Sequence, residues 1–542
     1  MKLSGAQAIV KALELEGVEV VFGYPGAAIC PFYDALMESN INHILTRHEQ
    51  GAAHAASGYA RTTGRVGVCV ATSGPGATNL ITGIADAYMD SIPLVAITGQ
   101  VNSELIGRDV FQEADITGAT DPFCKHNYLV KNTKDLPRVL KEAFYIASTG
   151  RPGPVLIDVP IDVQTREINF EYPESVDIKG YKPNFKGHSL QIKKIAEAIE
   201  KAKRPVICAG GGVINSDASQ QLFELSQKCG IPVVTTLMGI GAVPYDYELN
   251  LGMVGTYGVY TANYAVNNAD LLIIIGARVA DRAISNPQQI AKKKKIVHID
   301  IDPAEIGKNI EVAIPVVGDV KQVLEEVVNI SRKGDTDDWV KTIQREKSEH
   351  APKLDSRSGT GFVNPKYLLS VLTELLGDDD IVTTEVGQNQ IWAANYLGVR
   401  KPRTFISSGG LGTMGYGFPA AVGAKIGSPD CKVVCVEGDG SFQMNMQELG
   451  TIKQNKLGIK VILFNNSRLG MVRELQKSKY CGRYFQVFLE DNPDFIKLFD
   501  AYGFKGRRID DNSQVEDALK EMLSDEGAYL LECRIDPEES TL

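Results

Sequence analysis

Short apolar runs alternate with helical patterns along almost the whole chain. Each run ends near a glycine or an aspartate, as in VGVCVATSG, PLVAITGQ, PVVTTLMG, DLLIIIGAR, KIVHIDID, KVVCVEGDG and IKVILFNN. Continuous runs of this kind are typical of parallel strands that helices cover on both faces. The pattern therefore predicts an α/β fold with doubly wound, mostly parallel sheets, and ligands at the carboxyl ends of the strands.

Two polar stretches interrupt the alternation. Residues 164–189 are polar and contain prolines and glycines, and residues 331–362 carry dense mixed charge followed by SRSGTG. Both are predicted to be linkers. The chain of 542 residues is too long for one ordinary domain. We therefore expect three α/β domains, at 1–165, 190–330 and 363–535.

Composition excludes several classes of protein. The formal net charge of −10 argues against a nucleic-acid partner, which requires a basic face. The amino-terminal segment MKLSGAQAIVKALELEG predicts an amphipathic helix with acidic residues, not a secretory signal, and no apolar run is long enough to span a membrane. The nine cysteines are scattered without C-x-x-C pairs. That usage suits a reducing compartment and predicts a cytoplasmic protein.

The strongest local signal lies in the third block. The strand KVVCVE is followed by Gly438, Asp439, Gly440 and Ser441. A helix is predicted at about 444–454, and the next strand, IKVILF, ends at Asn465 and Asn466. Right-handed crossover brings the two strand ends to one edge of the sheet, where Asp439 and Asn466 offer oxygen ligands to a hard cation. The glycines allow a diphosphate to approach the backbone closely.

Other interpretations of these residues exist. Each motif alone is more often a plain tight turn. Gly410, Gly412 and Gly415 also match G-x-G-x-x-G, with Glu437 as a possible ribose acid, which would indicate a nicotinamide-dependent oxidoreductase. A third alternative is a catalytically silent protein that only binds cofactor. The close succession of Glu437 and the metal motif makes the oxidoreductase a remote alternative.

The metal motif and further stretches resemble one family of thiamine diphosphate enzymes. GDGS, 23 residues and then NN is similar to the family's metal-diphosphate signature. GYPGAAICPFYDAL, RHEQGAAHAASGYAR, ATSGPGATNL, FQEAD, RPGPVLIDVP, VGQNQIW, SGGLGTMGYGFPAAVGA and NNSRLGMVRE resemble the large catalytic subunit of acetohydroxyacid synthase, also called acetolactate synthase. The matching stretches cover nearly the whole chain in order. The resemblance implies pyrimidine-binding, central and diphosphate-binding domains.

The resemblance also assigns the residues that would hold thiamine diphosphate and Mg²⁺. Glu49, in the HEQ segment, would contact the pyrimidine and promote the tautomer that removes the C2 proton; without the resemblance it is an ordinary acid at a helix amino terminus. Met414 would wedge between the two rings of the cofactor. The remaining cofactor-binding residues would be Gly387, Gln388, Gly412, Gly438, Asp439, Gly440 and Ser441. The metal ligands would be Asp439, Asn466 and a backbone carbonyl near Arg468.

The middle block resembles the flavin-binding domain of the same family. Glycines and polar residues lie at its predicted strand ends, and the resemblance makes FAD a further expected cofactor. The FAD-binding residues would be Gly210, Gly211, Gly276, Arg278, Asp300 and Asp319. The alternative is an α/β domain with an empty cleft. In this family the first block of one subunit and the third block of another share each thiamine diphosphate, which implies a homodimer or homotetramer; a small regulatory subunit is a further possible partner.

The implied reaction is decarboxylation of pyruvate and transfer of the remaining two-carbon unit to a second 2-oxoacid. Arg282 matches the arginine that binds the carboxylate of that acceptor. The other residues expected at the substrate are Phe111, Gln112, Lys125, Met471 and Leu475. Leu475 replaces a family tryptophan, which should weaken discrimination between acceptors that differ by one methylene, a difference of about 1–3 kcal/mol.

Further departures also lie around the acceptor and the flavin. The chain has Thr256–Gly258 for Met-His-Gly, 279–282 for FDDR and Ile161 for a common lysine, and it ends at DPEESTL without the longer carboxyl-terminal arm. We therefore expect 2-acetolactate from two pyruvates, in branched-chain amino acid biosynthesis, with poor preference for 2-oxobutyrate. The alternative is a related carboligase that uses another ketone or aldehyde as acceptor.

Overall fold

The computed structural model describes residues 1–351 and 354–542. Its first domain has strands β1 (Lys2–Ser4), β2 (Val20–Gly23), β3 (Asn42–Leu45), β4 (Gly67–Ala71), β5 (Leu94–Gln100), β6 (His126–Leu129), β7 (Pro154–Pro160) and β8 (Glu167–Asn169). Its helices are α1 (Gly5–Leu15), α2 (Cys30–Leu36), α3 (Glu49–Thr63), α4 (Pro75–Asn79), α5 (Ile81–Asp90), α6 (Ile116–Thr120), α7 (Leu136–Ser148) and α8 (Ile161–Thr165). A six-stranded parallel sheet has the order β3-β2-β4-β5-β7-β6, and β1 pairs antiparallel with β8.

The middle domain has strands β9 (Pro205–Ala209), β10 (Val233–Thr235), β11 (Asn250–Met253), β12 (Leu271–Ile275), β13 (Lys295–Asp300) and β14 (Ile314–Val317). Its helices are α9 (Ser189–Lys201), α10 (Gly211–Asn215), α11 (Ser219–Cys229), α12 (Tyr260–Asn268), α13 (Pro287–Ala291), α14 (Val320–Ile330) and α15 (Asp337–Glu349). The sheet is parallel with the order β11-β10-β9-β12-β13-β14.

The third domain has strands β15 (Ile381–Thr384), β16 (Phe405–Ser407), β17 (Val433–Gly438), β18 (Ile459–Asn465), β19 (Lys505–Ile509) and β20 (Tyr529–Arg534). Its helices are α16 (Pro365–Leu375), α17 (Gln388–Tyr396), α18 (Gly417–Gly427), α19 (Asp439–Asn445), α20 (Leu449–Asn455), α21 (Gly470–Lys479), α22 (Phe495–Ala501) and α23 (Val515–Ser524). Its parallel sheet has the order β16-β15-β17-β18-β20-β19.

The central strands bury both of their faces, which explains why the predicted runs are continuously apolar. In β17, Val433 and Cys435 pack into one hydrophobic cluster, and Val434 and Val436 pack into another on the opposite face. Strands β5 and β12 divide their side chains between two clusters in the same way. The prediction of three doubly wound, parallel α/β domains is therefore confirmed.

The first and third domains share one hydrophobic core through helices α3 and α18. Small residues let the two backbones come close, since a Cβ on Gly423 would lie 1.8 Å from the carbonyl oxygen of Ala55. A Cβ on Gly58 would likewise lie 2.2 Å from the Ala420 oxygen. The helix that opens with Glu49 is thus fixed against the third domain of its own chain.

Two predictions about local structure were wrong. The segment 331–362 is not only a linker, because α15 lies within it and buries Trp339 and Ile343 against the middle domain. These two residues lie four positions apart on one helix face, while the dense charge occupies the other faces. The helix predicted at about 444–454 is instead two helices, since α19 begins at Asp439 and a 3₁₀ turn (Met446–Glu448) separates it from α20.

Within residues 1–351 and 354–542, no helix combines the length and the apolar character needed to cross a lipid bilayer.

Candidate cofactor site

The ends of β17 and β18 bring Asp439 and Asn466 together. The strands run parallel, with Gly438 paired with Phe464, so the turns that follow the two strands leave the sheet at the same edge. Asp439 and Asn466 line the same narrow cavity at this edge. The predicted juxtaposition of carboxylate and amide therefore follows directly from the sheet register.

Asp439 is buried, and its surroundings set its charge. Burial raises the pKa of Asp439 to about 6, although a 2.7 Å hydrogen bond from the Asn492 amide favours the charged form. A bound cation would remove this penalty by supplying the opposite charge. The Asn466 amide is also held, because its Nδ2 donates to Gln388 Oε1 at 3.0 Å and its Oδ1 accepts from the Arg468 N–H at 3.1 Å.

A narrow cavity of about 80 Å³ opens beside these residues. Glycines shape its wall: a Cβ on Gly387 would lie 2.6 Å from Asn389 Oδ1, and one on Gly440 would lie 2.7 Å from Leu469 Cδ2. Gly387 also has a φ of 157°, which favours glycine. The cavity is lined by 386–389, Trp392, Met414, 438–441, Phe464, Asn466 and 468–472. Backbone N–H groups at the start of α19 thus border a small cleft that suits a diphosphate.

The cleft suits Mg²⁺ as well. Among the residues that the structure describes, His, Cys, Asp and Glu form no group of three or more around a common metal position. Mg²⁺ does not need such a group, because it is commonly bound by one or two carboxylates together with phosphate oxygens and water. One carboxylate and one amide beside a diphosphate-sized cleft match that donor set.

A wide cavity of about 780 Å³ lies between the three domains. It meets the narrow cavity at Val386 and Met471, which line both. Gly276, with a φ of +58°, packs so tightly that a Cβ there would lie 2.6 Å from the Gly212 Cα. Burial raises the pKa of Asp300 to about 6 at the same edge of the middle sheet. Glycine turns and a buried carboxylate are suited to a dinucleotide.

Comparisons with known proteins agree with this geometry. Three family models for thiamine pyrophosphate enzymes match the chain: the N-terminal TPP binding domain at 3–119, the central domain at 192–327 and the C-terminal TPP binding domain at 385–533. A probable acetolactate synthase large subunit of Methanocaldococcus jannaschii is 50% identical, over 99% of this chain and 93% of the relative.

The chain belongs to the acetolactate synthase large-subunit family of thiamine pyrophosphate enzymes.

Two further relatives are also named as acetolactate synthases. Acetolactate synthase of Mycobacterium bovis is 48% identical, with 96% of this chain and 86% of the relative covered. Acetolactate synthase large subunit of Corynebacterium glutamicum is 47% identical, with 96% and 84% covered. The family resemblance drawn from sequence motifs is therefore confirmed.

The two cavities collect most of the residues that the family resemblance singled out. The narrow cavity is lined by Gly387, Gln388, Met414, Gly438, Asp439, Gly440, Ser441, Asn466, Arg468 and Met471. The wide cavity is lined by Gly211, Gly276, Arg278, Arg282, Asp300, Asp319, Gly412 and Met471. Gly210 lies just behind that wall, where a Cβ would approach the Gly276 oxygen to 2.2 Å.

Glu49 lines neither cavity of the chain. It opens α3 in the first domain, is half-buried, and accepts a 2.9 Å hydrogen bond from Asn79 Nδ2. Phe111 and Gln112 belong to the same side of the first domain: Gln112 packs against Gly74, and the Phe111 side chain is 86% exposed. The lining of the narrow cavity comes from the third domain alone.

Lys125 and Leu475 also lie outside both cavities. The Lys125 ammonium group donates to the carbonyl oxygens of Ile146 and Thr149 and to the Tyr181 hydroxyl. Burial lowers the pKa of Lys125 to about 7. Leu475 is 46% exposed on α21, one turn after Met471. The structure therefore does not bring Lys125 to the wide cavity that holds Arg282.

Several residues at these sites were not found by sequence reasoning. Asn492 holds Asp439, and Asp90 accepts hydrogen bonds from the backbone of Gly409 and Gly410 in the loop that precedes Met414. Arg151 lines the wide cavity and bonds Glu305 at 2.9 Å. Each contact joins distant parts of the chain, so no local spacing could indicate it.

The oxidoreductase alternative loses its ribose acid in the structure. Glu437 is fully buried, and its carboxylate accepts a hydrogen bond from the Cys435 thiol. Burial, together with the nearby Glu385, raises the pKa of Glu437 well above its usual range. A carboxyl group in this position cannot reach a nucleotide in the cleft.

Proposed function

We propose that this chain catalyses the synthesis of 2-acetolactate from two molecules of pyruvate, with thiamine diphosphate and Mg²⁺ in the narrow cavity. The observation that carries the proposal is the meeting of Asp439 and Asn466 beside a glycine-lined cleft, in a chain about half identical to proteins named acetolactate synthase. When bound, thiamine diphosphate would supply a nucleophilic carbon that adds to the pyruvate carbonyl, and the cofactor would stabilise the electron pair left by decarboxylation.

The residues of the third domain would hold the cofactor and its metal. Asp439, the Asn466 amide oxygen and a carbonyl near Arg468 would bind Mg²⁺, and the glycines at 438 and 440 would lie against the diphosphate. Met414 lines the cavity, as a residue that supports the folded cofactor must. Met471, which joins the two cavities, would contact the substrate.

Glu49 would act on the pyrimidine from another chain. It is half-buried at the amino terminus of α3, where the helix dipole favours its negative charge. Since the narrow cavity has no lining residue from the first domain, we propose that a second copy supplies Glu49. Two copies then share two cofactors, as a homodimer or as part of a homotetramer.

The acceptor would bind where the two cavities meet. Arg282 lines the wide cavity, and its exposed guanidinium group, which makes only a long 3.9 Å ion pair with Asp281, would bind a 2-oxoacid carboxylate. Phe111, Gln112 and Leu475 would complete this pocket from surfaces that are exposed or outside the cavities in a single chain. Lys125 is the weakest member of the set, because three acceptors already occupy its ammonium group.

FAD would occupy the wide cavity. The backbone at Gly211 and Gly276 can approach a diphosphate closely, Arg278 offers a positive charge, and Asp300 can accept hydrogen bonds from ribose hydroxyls. Asp319 caps α14 at the same rim through a 3.1 Å bond to the Gln322 N–H. The cavity volume of about 780 Å³ is within the range for large ligands.

We further propose a small regulatory subunit as partner and a cytoplasmic location. The relatives are named large subunits, which implies a smaller companion chain. All nine cysteines fall within the described residues and none is paired there, which fits a reducing compartment.

The proposal is tested by incubating the purified chain with pyruvate, thiamine diphosphate, Mg²⁺ and FAD. Acetolactate should accumulate, and Glu49→Gln should lose this activity while it still binds the cofactor. Glu104→Gln, an exposed acid of the same domain, serves as the matched control. Pyruvate loss without acetolactate would contradict the proposed acceptor, and full activity of Glu49→Gln would contradict the role of Glu49.

A further inference from the structure

Glu448 is a buried carboxylate of the third domain that bonds to the backbone of the first domain. Its two oxygens accept hydrogen bonds from the Arg47 N–H at 3.0 and 3.2 Å. The Thr451 hydroxyl donates to Glu448 Oε2 at 2.5 Å. Glu448 is 0% exposed, so these hydrogen bonds take the place of those that water would make to its carboxylate.

Arg47 completes the contact in the opposite direction. Its guanidinium group donates to the Gly450 carbonyl oxygen at 3.1 Å and to Gln454 Oε1 at 2.9 Å. It also donates to the Leu45 oxygen at 3.0 Å. The turn before α3 is therefore held to α20 by hydrogen bonds in both directions, which fix the position of the two segments relative to each other.

The residue held in this way, Arg47, lies two positions before Glu49. The Glu448 carboxylate lies across the first turn of α3, so close that a Cβ on Gly51 would come within 2.5 Å of its Oε1. A carboxyl group placed against the amino-terminal turn of a helix restrains that turn, because its oxygens can accept hydrogen bonds from exposed N–H groups. Any shift of Glu448 would therefore be passed to the first residue of the helix.

We infer that Glu448 is a positioning residue for Glu49: its bonds to the Arg47 N–H and its packing against the first turn of α3 set the place of the Glu49 carboxylate. This inference rests on the proposed role of Glu49 toward thiamine diphosphate. Nothing in the reaction requires Glu448 to touch substrate or cofactor. It acts through the backbone that carries the residue which does.

The segment 439–448, which ends at Glu448, also reaches the narrow cavity of its own chain. Asp439 opens α19 at one end of the segment, and Asn445 at the end of α19 donates to the Gly415 oxygen, next to Met414. Glu448 follows one 3₁₀ turn later. If two copies share each cofactor, this segment connects the metal site of a chain with the Glu49 that the chain lends to its partner.

The first test uses cofactor-free protein. Hydrogen–deuterium exchange of residues 45–52 should accelerate on the order of tenfold in Glu448→Ala, because the Arg47 amide loses its acceptor. In Glu448→Gln, which keeps one acceptor oxygen, the exchange rate of this segment should lie between those of the wild type and Glu448→Ala. Glu532→Ala removes another buried acid of the third domain and should leave this segment unchanged. Unchanged exchange in Glu448→Ala would overturn the inference.

The second test follows proton exchange at C2 of bound thiamine diphosphate. Misplacing Glu49 by about 1 Å should slow this exchange about 100-fold in Glu448→Ala, with partial rescue in Glu448→Gln. Affinity for the cofactor with Mg²⁺ should change less than about threefold, since Asp439 and Asn466 remain in place. A loss of affinity with unchanged C2 exchange would show that Glu448 serves its own cleft and would overturn the inference.

Mixed dimers separate the inference from the proposed function. Glu49→Gln in one copy and Asp439→Asn in the other fall in one shared site, so the second site should keep about half of the wild-type activity. Glu49→Gln paired with Glu448→Ala should be inactive, because each copy then lacks a correctly placed Glu49. Activity in both mixtures overturns the inference. An inactive first mixture overturns the shared site, while amide exchange at 45–52 still decides the role of Glu448.

Discussion

The two cavities that meet at Met471 are built in different ways. The narrow cavity takes its lining from the third domain alone, and its key residues, Asp439 and Asn466, are buried and held by their neighbours. The wide cavity takes its lining from all three domains, and Arg282 at its wall is exposed. We expect substitutions in the narrow cavity to abolish function and those in the wide cavity to tune it.

The largest effect is expected for Asp439→Asn in the narrow cavity. Loss of the only carboxylate proposed for Mg²⁺ should weaken binding of thiamine diphosphate with the metal by more than about 100-fold. Titration calorimetry measures this affinity. Asp510→Asn makes the same charge change at an exposed position and should bind normally. Normal binding by Asp439→Asn would show that the metal lies elsewhere.

The next effect should be confined to the wide cavity. Gly276→Ala places a methyl group against Gly212 and strains a φ of +58°, so FAD affinity should fall by about 10- to 100-fold. Binding of thiamine diphosphate should not change. Flavin absorbance after equilibrium dialysis measures the loss. Gly307→Ala is the control, because it also puts a side chain on a strained backbone but in open space. It therefore separates the effect of backbone strain from the effect of steric contact. Equal loss of both cofactors would contradict the independence of the two cavities.

Acceptor choice should respond more moderately. Leu475→Trp adds a large flat contact one turn after Met471, and should raise the preference for 2-oxobutyrate over pyruvate by about tenfold. The ratio of the two products at equal substrate concentrations reports this preference. Lys477→Trp, on the opposite side of α21, should leave the ratio unchanged. A wild-type mixture already dominated by 2-aceto-2-hydroxybutyrate would contradict the argument from Leu475.

The smallest effect concerns the stability of the flavin-free protein. Burial raises the pKa of Asp300 to about 6, so its proton stabilises the fold below the ordinary aspartate pKa and this contribution is lost as pH rises through 6. Asp300→Asn should remove that loss. The melting temperature of the wild type should therefore fall by a few degrees more than that of Asp300→Asn between pH 4 and pH 7. Identical pH profiles would contradict the buried, protonated state.

Sequence reasoning succeeded where a contact follows from neighbouring strands. Asp439 and Asn466 could be paired because crossover connections fix which strand ends meet. Glu448 and Arg47 are 401 positions apart and Asn492 lies 53 positions beyond Asp439, so their contacts depend on tertiary packing that no periodicity encodes. The helix α15 was missed because its charged faces obscured the spacing of Trp339 and Ile343.

The central claim is that the narrow cavity processes pyruvate and that a second pyruvate accepts the product. The most direct measurement is the stoichiometry of the reaction with pyruvate as the only substrate, with carbon dioxide and 2-acetolactate quantified together. The account predicts one carbon dioxide and one acetolactate for every two pyruvates consumed. Carbon dioxide released without acetolactate, or no consumption of pyruvate in the presence of thiamine diphosphate and Mg²⁺, would contradict it.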